Sequence, residues 1–128
     1  MKIHICEAEK WEREQFADLE QKHEVAYHTE SISRENAWLV REAEVISPFI
    51  YSDLGSRVLD EIPDLKMVAT RSTGFDHIDL DVCRERNVTV SNVPTYGENT
   101  VAEHVFGLLL TISHRIVEAV DRTRKGDF

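Results

Sequence analysis

Short apolar runs alternate along this chain with longer stretches in which apolar residues recur at helical spacing. The short runs predict buried strands at residues 2–6, 23–28, 44–47, 65–70 and 88–92. The longer stretches predict amphipathic helices at residues 8–21, 34–42, 53–62 and 79–86. Because strand and helix alternate and no tight hairpin signal is present, the pattern indicates a parallel sheet with helices on both faces.

The predicted fold class is α/β, a flavodoxin-like, doubly wound sheet of five parallel strands in the order 2-1-3-4-5, followed by a long C-terminal linking helix. Right-handed crossover connections leave few other arrangements. Ser33 is the expected N-cap of the second helix. Asn87 suits the left-handed position that ends the fourth helix.

The last helix has recognisable signals at both ends. We expect it to run from Thr100 to about Lys125, with Gly126 just past its end. Thr100 and Glu103 have the spacing of a capping box, in which each side chain satisfies a backbone N–H of the other residue. These signals predict one continuous helix.

This helix is apolar almost all round between Val105 and Ile112. A helix of that kind is covered on more than one side. We therefore expect a domain at residues 1–99 and a linking helix at residues 100–128, with a further domain or a second subunit packed on the helix.

The 128 residues carry a net charge of −9, and most of the acidic excess lies in residues 1–64. This acidity and the lack of a basic patch argue against a nucleic-acid partner, whose phosphates need Lys and Arg. The first residues lead into an acidic helix rather than a signal peptide. The apolar stretch of the last helix, interrupted by His104, His114 and Arg115, is too short to span a membrane.

Cys6 and Cys83 lie far apart in a predicted strand and a predicted helix. We expect both to be buried free thiols, which suits a reducing, cytoplasmic location. The chain has no CxxC motif and no cluster of metal ligands, so we expect no metal site.

Ligands of open α/β sheets bind beyond the carboxyl ends of the strands. The loop that holds Ser72, Thr73 and Gly74 is the best candidate there. A glycine after small polar residues lets consecutive backbone N–H groups point one way and bind an anion such as a small carboxylate. The alternative is that Gly74 only permits a turn into the next helix. The loop after the first strand carries Glu7 and Glu9, which disfavours phosphate.

Other polar residues near this edge leave two interpretations open. Asp76 and Asp79 could be catalytic carboxylates, although helix capping explains them better. Tyr96 could project into a site or pack its own loop. The six histidines have no common spacing, so none is assigned a catalytic role.

No complete nucleotide site is encoded in these residues. The chain contains no G-x-G-x-x-G motif, no Walker-type loop and no G-x-S-x-G motif. Its five glycines are Gly55, Gly74, Gly97, Gly107 and Gly126.

Three segments in this order resemble the D-isomer-specific 2-hydroxyacid dehydrogenases. They are RSTGFDHID at residues 71–79, NVPTY at residues 92–96, and VAEH at residues 101–104 with the apolar helix that follows. Gly-Phe-Asp and the ending RTRKGDF are most similar to the D-lactate dehydrogenase branch. The resemblance is sharp over residues 66–128 and topological over residues 1–65.

The resemblance implies a substrate domain into which an NAD-binding Rossmann domain is inserted. Substrate-binding residues would be Ser72, Thr73, Gly74 and Tyr96, with the Thr73–Gly74 turn offering N–H groups to the substrate carboxylate. Thr100 and Val101 would lie near the nicotinamide. The whole enzyme would transfer hydride between NAD and C2 of a small 2-hydroxy or 2-oxo acid, and the last helix would take part in its dimer contact. For this chain, whose apolar helix has no such domain to cover it, we expect a homodimer through the helix at residues 101–120, with exchange of elements as one form.

The family's glycine-rich phosphate loop and its catalytic Arg, Glu and His lie beyond the position that matches Phe128. No catalytic residue is therefore carried over, and we expect this chain to be a truncated substrate domain, natural or deliberate, that binds no NAD and is inactive alone. The alternative is a flavodoxin-like self-associating structural or binding module without catalysis. A phosphoacceptor receiver is disfavoured because Ser47-Pro48 and residues 93–95 stand where it needs Asp and Lys.

Overall fold

A computed structural model describes residues 1–127 of the chain. It divides the chain into two compact units, the first at Met1–Pro94 and the second beginning at Thr95. The first unit holds the sheet and the candidate carboxylate-binding turn. The second unit consists of two helices and the loop that leads into them.

The first unit contains a five-stranded parallel sheet in the order 2-1-3-4-5, which confirms the predicted fold class. Its strands are β1 (Lys2–Ile5), β2 (Glu24–Tyr27), β3 (Val45–Ser47), β4 (Met67–Ala69) and β5 (Thr89–Ser91). Because all strands run the same way, their carboxyl ends meet at one edge, where Cys6, Pro48, Thr70 and Asn92 follow their strands.

Two helices of the first unit follow the expected pattern, although both are short. They are α2 (Ser56–Leu59) and α3 (Leu80–Glu85). The carboxylate of Asp79 caps α3 by accepting a hydrogen bond from the Val82 amide at 3.1 Å. Asn87 follows α3 with φ of 57°, so its left-handed position is confirmed.

The other two predicted helices were too long. Residues 8–21 form a 3₁₀ helix at Glu12–Phe16 and one α-helical turn, α1 (Ala17–Glu20). Residues 34–42 form only a 3₁₀ helix at Ala37–Val40.

The Ser33 cap prediction was wrong as well. The Asn36 side chain accepts from the Ser33 amide at 2.7 Å, and the Ser33 hydroxyl accepts from the Glu35 amide at 3.3 Å. These local bonds form a turn that competes with the first helical residues.

The core lies on the two sides of the sheet. The larger cluster packs Ile46 and Val68 of the central strands against Val58, Leu59 and other residues of the connections. The smaller cluster gathers around Ile3, Ile5 and Ala8. Burial of these side chains is the main stabilising term of the unit.

The second unit contains α4 (Glu98–Ser113) and α5 (Ile116–Arg124). The predicted capping box was wrong, because α4 begins at Glu98 and the Val101 amide donates to Gly97 O at 3.0 Å. Thr100 therefore lies inside the first turn.

The prediction of one continuous helix was also wrong. Arg115 has φ of 48° and interrupts the run between α4 and α5. Gly126 follows α5 with φ of 73°, so the expected end of the helix is confirmed.

No residue of α4 or α5 is buried within the described chain. The large apolar side chains of α4 are at least half exposed: Val101, Val105, Phe106, Leu108, Leu109, Leu110 and Ile112. Among residues 1–127, no helix combines the length and apolar character needed to cross a bilayer.

Candidate functional site

Arg71 joins the ends of three strands at the carboxyl edge of the sheet. Its guanidinium donates to Ser47 O at 2.6 Å, to Cys6 O at 2.9 Å and to Glu7 O at 3.2 Å. Its Nε also pairs with the Glu12 carboxylate at 3.3 Å. Arg71 is therefore a structural cation that holds the edge together.

The turn after Arg71 is closed by Ser72, which is buried. The Ser72 hydroxyl donates to Gly74 O at 2.7 Å and lies 2.7 Å from Thr70 Oγ1. A hydroxyl that binds across its own turn fixes the backbone that follows it.

The same turn is tied to the end of β5. The Val93 amide donates to Ser72 O at 3.0 Å, and the Thr73 hydroxyl donates to Val93 O at 2.8 Å. The Asn92 side chain donates to Thr73 O at 2.8 Å. The turn is thus held by a contact with Thr70 on one side and by hydrogen bonds to Asn92 and Val93 on the other.

The backbone N–H groups of Thr73 and Gly74 are open donors in this turn. Both residues are exposed, and within residues 1–127 neither amide has a hydrogen-bond acceptor. Two adjacent amides on a fixed turn can bind a carboxylate through charge-assisted hydrogen bonds. The hydrogen bonds of Ser72 and Asn92 described above hold the turn that carries these two amides.

Gly74 does not adopt the left-handed conformation that would require glycine. A Cβ added at this position would meet only Asp76 Oδ2, at an ordinary contact distance of 3.7 Å. The backbone therefore tolerates a side chain here, which weakens the alternative that Gly74 serves only the turn. A glycine at this position also leaves room for the close approach of a ligand.

Sequence reasoning missed the structural role of Glu7, whose side chain binds a distant loop. Its neighbour Glu9 is exposed. The Glu7 carboxylate accepts hydrogen bonds from the Phe49 amide at 2.8 Å, the Tyr51 amide at 3.0 Å and the Ser52 hydroxyl at 2.8 Å. No local signal reveals such partners, because they lie more than 40 residues away in sequence.

The structure brings Ser72, Thr73 and Gly74 together in one turn of the first unit. The other candidates, Tyr96, Thr100 and Val101, belong to the second unit, where all three are exposed. Their roles as substrate and cofactor ligands stay predictions.

Two histidines form a pair that the sequence analysis did not recognise. His4 Nδ1 lies 3.0 Å from His28 Nε2, and burial lowers the pKa of both imidazoles. In the sheet His4 is opposite Ala26, two residues before His28, so the register could have revealed the pair.

Two further observations bear on the chemistry of the first unit. Both cysteines are buried and unpaired, and burial raises the pKa of Cys6 to about 12, so its thiol is a poor nucleophile. No group of three or more His, Cys, Asp or Glu side chains suited to a metal ion occurs within residues 1–127.

Comparisons with known proteins agree with this architecture. Residues 3–125 match the family model of the D-isomer specific 2-hydroxyacid dehydrogenase catalytic domain. The chain is 32% identical to 2-hydroxyacid dehydrogenase homolog 1 of Schizosaccharomyces pombe over all of its own length and 40% of that protein. Over 76% of its length it is 33% identical to D-lactate dehydrogenase of Escherichia coli, of which it covers 30%.

Solved structures give the same answer. The D-lactate dehydrogenase of Aquifex aeolicus, complexed with NAD and lactic acid, superposes with a TM-score of 0.83 at 32% identity, covering 98% of this chain and 38% of that one. In both comparisons the chain is much shorter than its relative, and it spans about 40% of the length of the S. pombe protein. These matches, with the observed sheet order, confirm the resemblance seen in the sequence, and the chain belongs to the D-isomer-specific 2-hydroxyacid dehydrogenase family.

Proposed function

We propose that this chain is the substrate-binding part of an NAD-dependent D-2-hydroxyacid dehydrogenase of the D-lactate type. The complete enzyme would transfer hydride between the nicotinamide and C2 of a small 2-hydroxy or 2-oxo acid. The observation that carries the proposal is the pair of exposed, unpartnered amides at Thr73 and Gly74 on a turn with fixed partners. The NAD and lactic acid held by the Aquifex aeolicus relative support it.

In this proposal Thr73 and Gly74 bind the substrate carboxylate. Hydrogen bonds to a charged group contribute about 1.5–3 kcal/mol each. Ser72 and Asn92 hold the turn before the ligand arrives, so little conformational entropy is lost on binding. The same carboxylate anchor would serve the 2-hydroxy acid and the 2-oxo acid.

The residues of this chain do not fit NAD on their own. A dinucleotide needs backbone amides free to bind its pyrophosphate after the first strand. Here the amides of Glu7 and Ala8 already donate to Glu30 O at 3.1 Å and to His28 O at 2.8 Å. We therefore propose that these 128 residues alone do not carry out hydride transfer.

Three residues of the second unit complete the proposed set. Tyr96 would contact the substrate, and Thr100 and Val101 would contact the nicotinamide. The family resemblance of the segments at residues 92–96 and 101–104 supports these assignments.

We propose further that the chain forms a homodimer through residues 101–120, with exchange of elements as one form. The exposed apolar side chains of α4, among them Phe106 and Leu109, support this, because large exposed apolar surfaces usually mark an interface. The same observation favours the second candidate function, a self-associating binding module without catalysis.

We place the protein in the cytoplasm. The two buried, unpaired cysteines, Cys6 and Cys83, support a reducing compartment. Localisation of the tagged protein in cell fractions tests this assignment.

A binding experiment tests the proposed function. Calorimetric titration of the chain with pyruvate and with methyl pyruvate compares a carboxylate with its neutral ester. We expect measurable binding of pyruvate and about tenfold weaker binding of the ester, because the ester lacks the charge that both amides would bind. Equal affinity for both, or no binding of pyruvate, would refute carboxylate recognition.

A separate assay tests the inactivity. We expect no oxidation of NADH above background when the chain is mixed with NADH and pyruvate. Measurable turnover would contradict this part of the proposal and leave the binding role intact.

A further inference from the structure

Glu7 follows β1 with its backbone in the left-handed region, at φ of 56°. This conformation is unfavourable for a residue with a side chain and persists where the surroundings over-determine it. The surroundings here come from other loops, because the Glu7 amide donates to Glu30 O and its carbonyl accepts from Arg71 at 3.2 Å. The backbone of Glu7 is thus held from both sides.

This backbone directs the carboxylate into the loop after β3, at residues 48–52. Oε2 accepts from the Phe49 amide, while Oε1 accepts from the Tyr51 amide and the Ser52 hydroxyl. All three are charge-assisted hydrogen bonds, which are stronger than neutral ones. The side chain of Tyr51 is itself 76% exposed, so the backbone bonds to Glu7 are what fix this loop at Tyr51.

The loop borders the candidate carboxylate turn. The Arg71 amide donates to Pro48 O at 2.9 Å, and Thr70 Oγ1 lies 3.1 Å from Phe49 O. The same Thr70 oxygen lies 2.7 Å from Ser72 Oγ. Through Thr70 and Arg71 the loop is therefore hydrogen-bonded to the segment that leads directly into Thr73 and Gly74.

We propose that Glu7 is a positioning residue of the candidate site, which fixes residues 48–52 so that this loop discriminates among 2-oxo acids by the size of the group beyond C2. Glu7 acts through the loop and touches no ligand. The inference rests on the proposed function, since it presupposes that the turn binds the carboxylate.

The test compares Glu7→Gln with Glu9→Gln. Glutamine keeps the size of Glu7, but its amide cannot accept hydrogen bonds at both ends, so at least one loop amide loses its partner. Glu9 lies two residues further on, is exposed, and its carboxylate accepts no hydrogen bond within the described residues. The Glu9 variant therefore removes the same charge without changing the loop.

Two measurements are made on each 128-residue variant. Hydrogen exchange reports how firmly the Phe49 and Tyr51 amides are held. Dissociation constants for glyoxylate, pyruvate and 4-methyl-2-oxopentanoate report discrimination, because these acids share the carboxylate and differ in the group beyond C2.

For Glu7→Gln we expect at least about tenfold faster exchange of the Phe49 or Tyr51 amide, the factor that corresponds to one lost hydrogen bond. The ratio of the dissociation constants of pyruvate and the bulky acid should change by about threefold or more, while glyoxylate binding changes less than about twofold. Glu9→Gln should match the parent chain in every measurement.

Faster exchange with an unchanged ratio would overturn the proposal, because Glu7 would then be structural only. An equal loss of affinity for all three acids, or an equal effect of Glu9→Gln, would overturn it as well. If the parent chain binds none of the acids, the proposed function fails and this proposal fails with it. A failure of the parent chain to bind is distinguishable from the other outcomes, because it is observed with the unsubstituted chain.

Discussion

The hydroxyl of Ser72 donates a hydrogen bond to the carbonyl oxygen of Gly74 at 2.7 Å. This contact closes the turn that contains the Thr73 and Gly74 amides. Neither amide has an acceptor within the described residues, so both are free to bind an anion. Ser72 is only 3% exposed, so the donor of this part-buried bond is held within the fold. The turn is therefore a preformed part of the fold.

Replacing Ser72 tests how far the fold depends on this contact. We expect Ser72→Ala to lower the free energy of unfolding by about 1–3 kcal/mol, because the Gly74 carbonyl and the Thr70 hydroxyl both lose a buried partner. Urea denaturation measures the change. The exposed Ser91→Ala serves as a control that should change stability by less than about 0.5 kcal/mol.

Gly74→Ala separates the needs of the fold from those of the ligand. The added Cβ meets Asp76 Oδ2 at 3.7 Å and the backbone is not left-handed, so we expect stability to change by less than about 1 kcal/mol. We expect pyruvate binding to weaken by about tenfold, because the methyl group obstructs the amides. A large drop in thermal stability would instead show that glycine serves the turn.

Arg71 should be intolerant of even a conservative change. Arg71→Lys keeps the charge but loses the planar fork that reaches Cys6 O, Glu7 O and Ser47 O. We expect a loss of about 2–4 kcal/mol in urea denaturation. Arg84→Lys, in an exposed pair with Asp81, is the matched control and should change stability by less than about 0.5 kcal/mol.

The histidine pair predicts a pH dependence of stability. Burial lowers the pKa of His4 and of His28 in the folded state, and the nearness of His28 adds to the effect on His4. The carboxylates of Glu24 and Glu42 near His4 and of Glu30 near His28 oppose this lowering without reversing it. The unfolded chain therefore binds protons more readily than the folded one below about pH 6.5.

The histidine pair makes its full contribution to stability above about pH 6.5. This contribution is lost as the pH falls through the folded-state pKa values of His4 and His28. We expect the free energy of unfolding to decrease between pH 7.5 and 5.5, and to decrease less in His28→Gln. His114→Gln, at the exposed end of α4, should keep the slope of the parent chain. An equal slope in the parent and in His28→Gln would show that the pair is not responsible.

The apolar surface of α4 predicts self-association. We expect light scattering after size exclusion to give the mass of a dimer at micromolar concentration, and Leu109→Glu to give a monomer, because a buried unpaired carboxylate is costly at an interface. Glu85→Gln, an exposed position of the first unit outside residues 101–120, is the control and should remain dimeric. A parent chain that stays monomeric would contradict the proposed homodimer.

The sheet could be predicted because its signals are local. The apolar runs that include Ile46 and Val68 are bounded by turn residues, and the connection rules for parallel strands then leave few strand orders. Asn87 and Gly126 were likewise found by their own conformational preferences.

The edge that supports the candidate site could not be predicted in the same way. Arg71 binds Cys6 and Glu7 across 65 and 64 residues, and Glu7 binds Tyr51 across 44. These residues become neighbours only when the sheet has formed and its strand ends lie side by side. The predicted start of the last helix was wrong for a different reason, because Thr100 has the spacing of a capping box but the helix already begins after Gly97.

The most direct test of the account is a titration of the ¹⁵N-labelled chain with pyruvate, followed by two-dimensional NMR. We predict that the amide signals of Thr73 and Gly74 shift most and saturate together, and that Gly74→Ala weakens the response. Shifts confined to other residues, or none at millimolar pyruvate, would contradict the claim that this turn binds the substrate carboxylate.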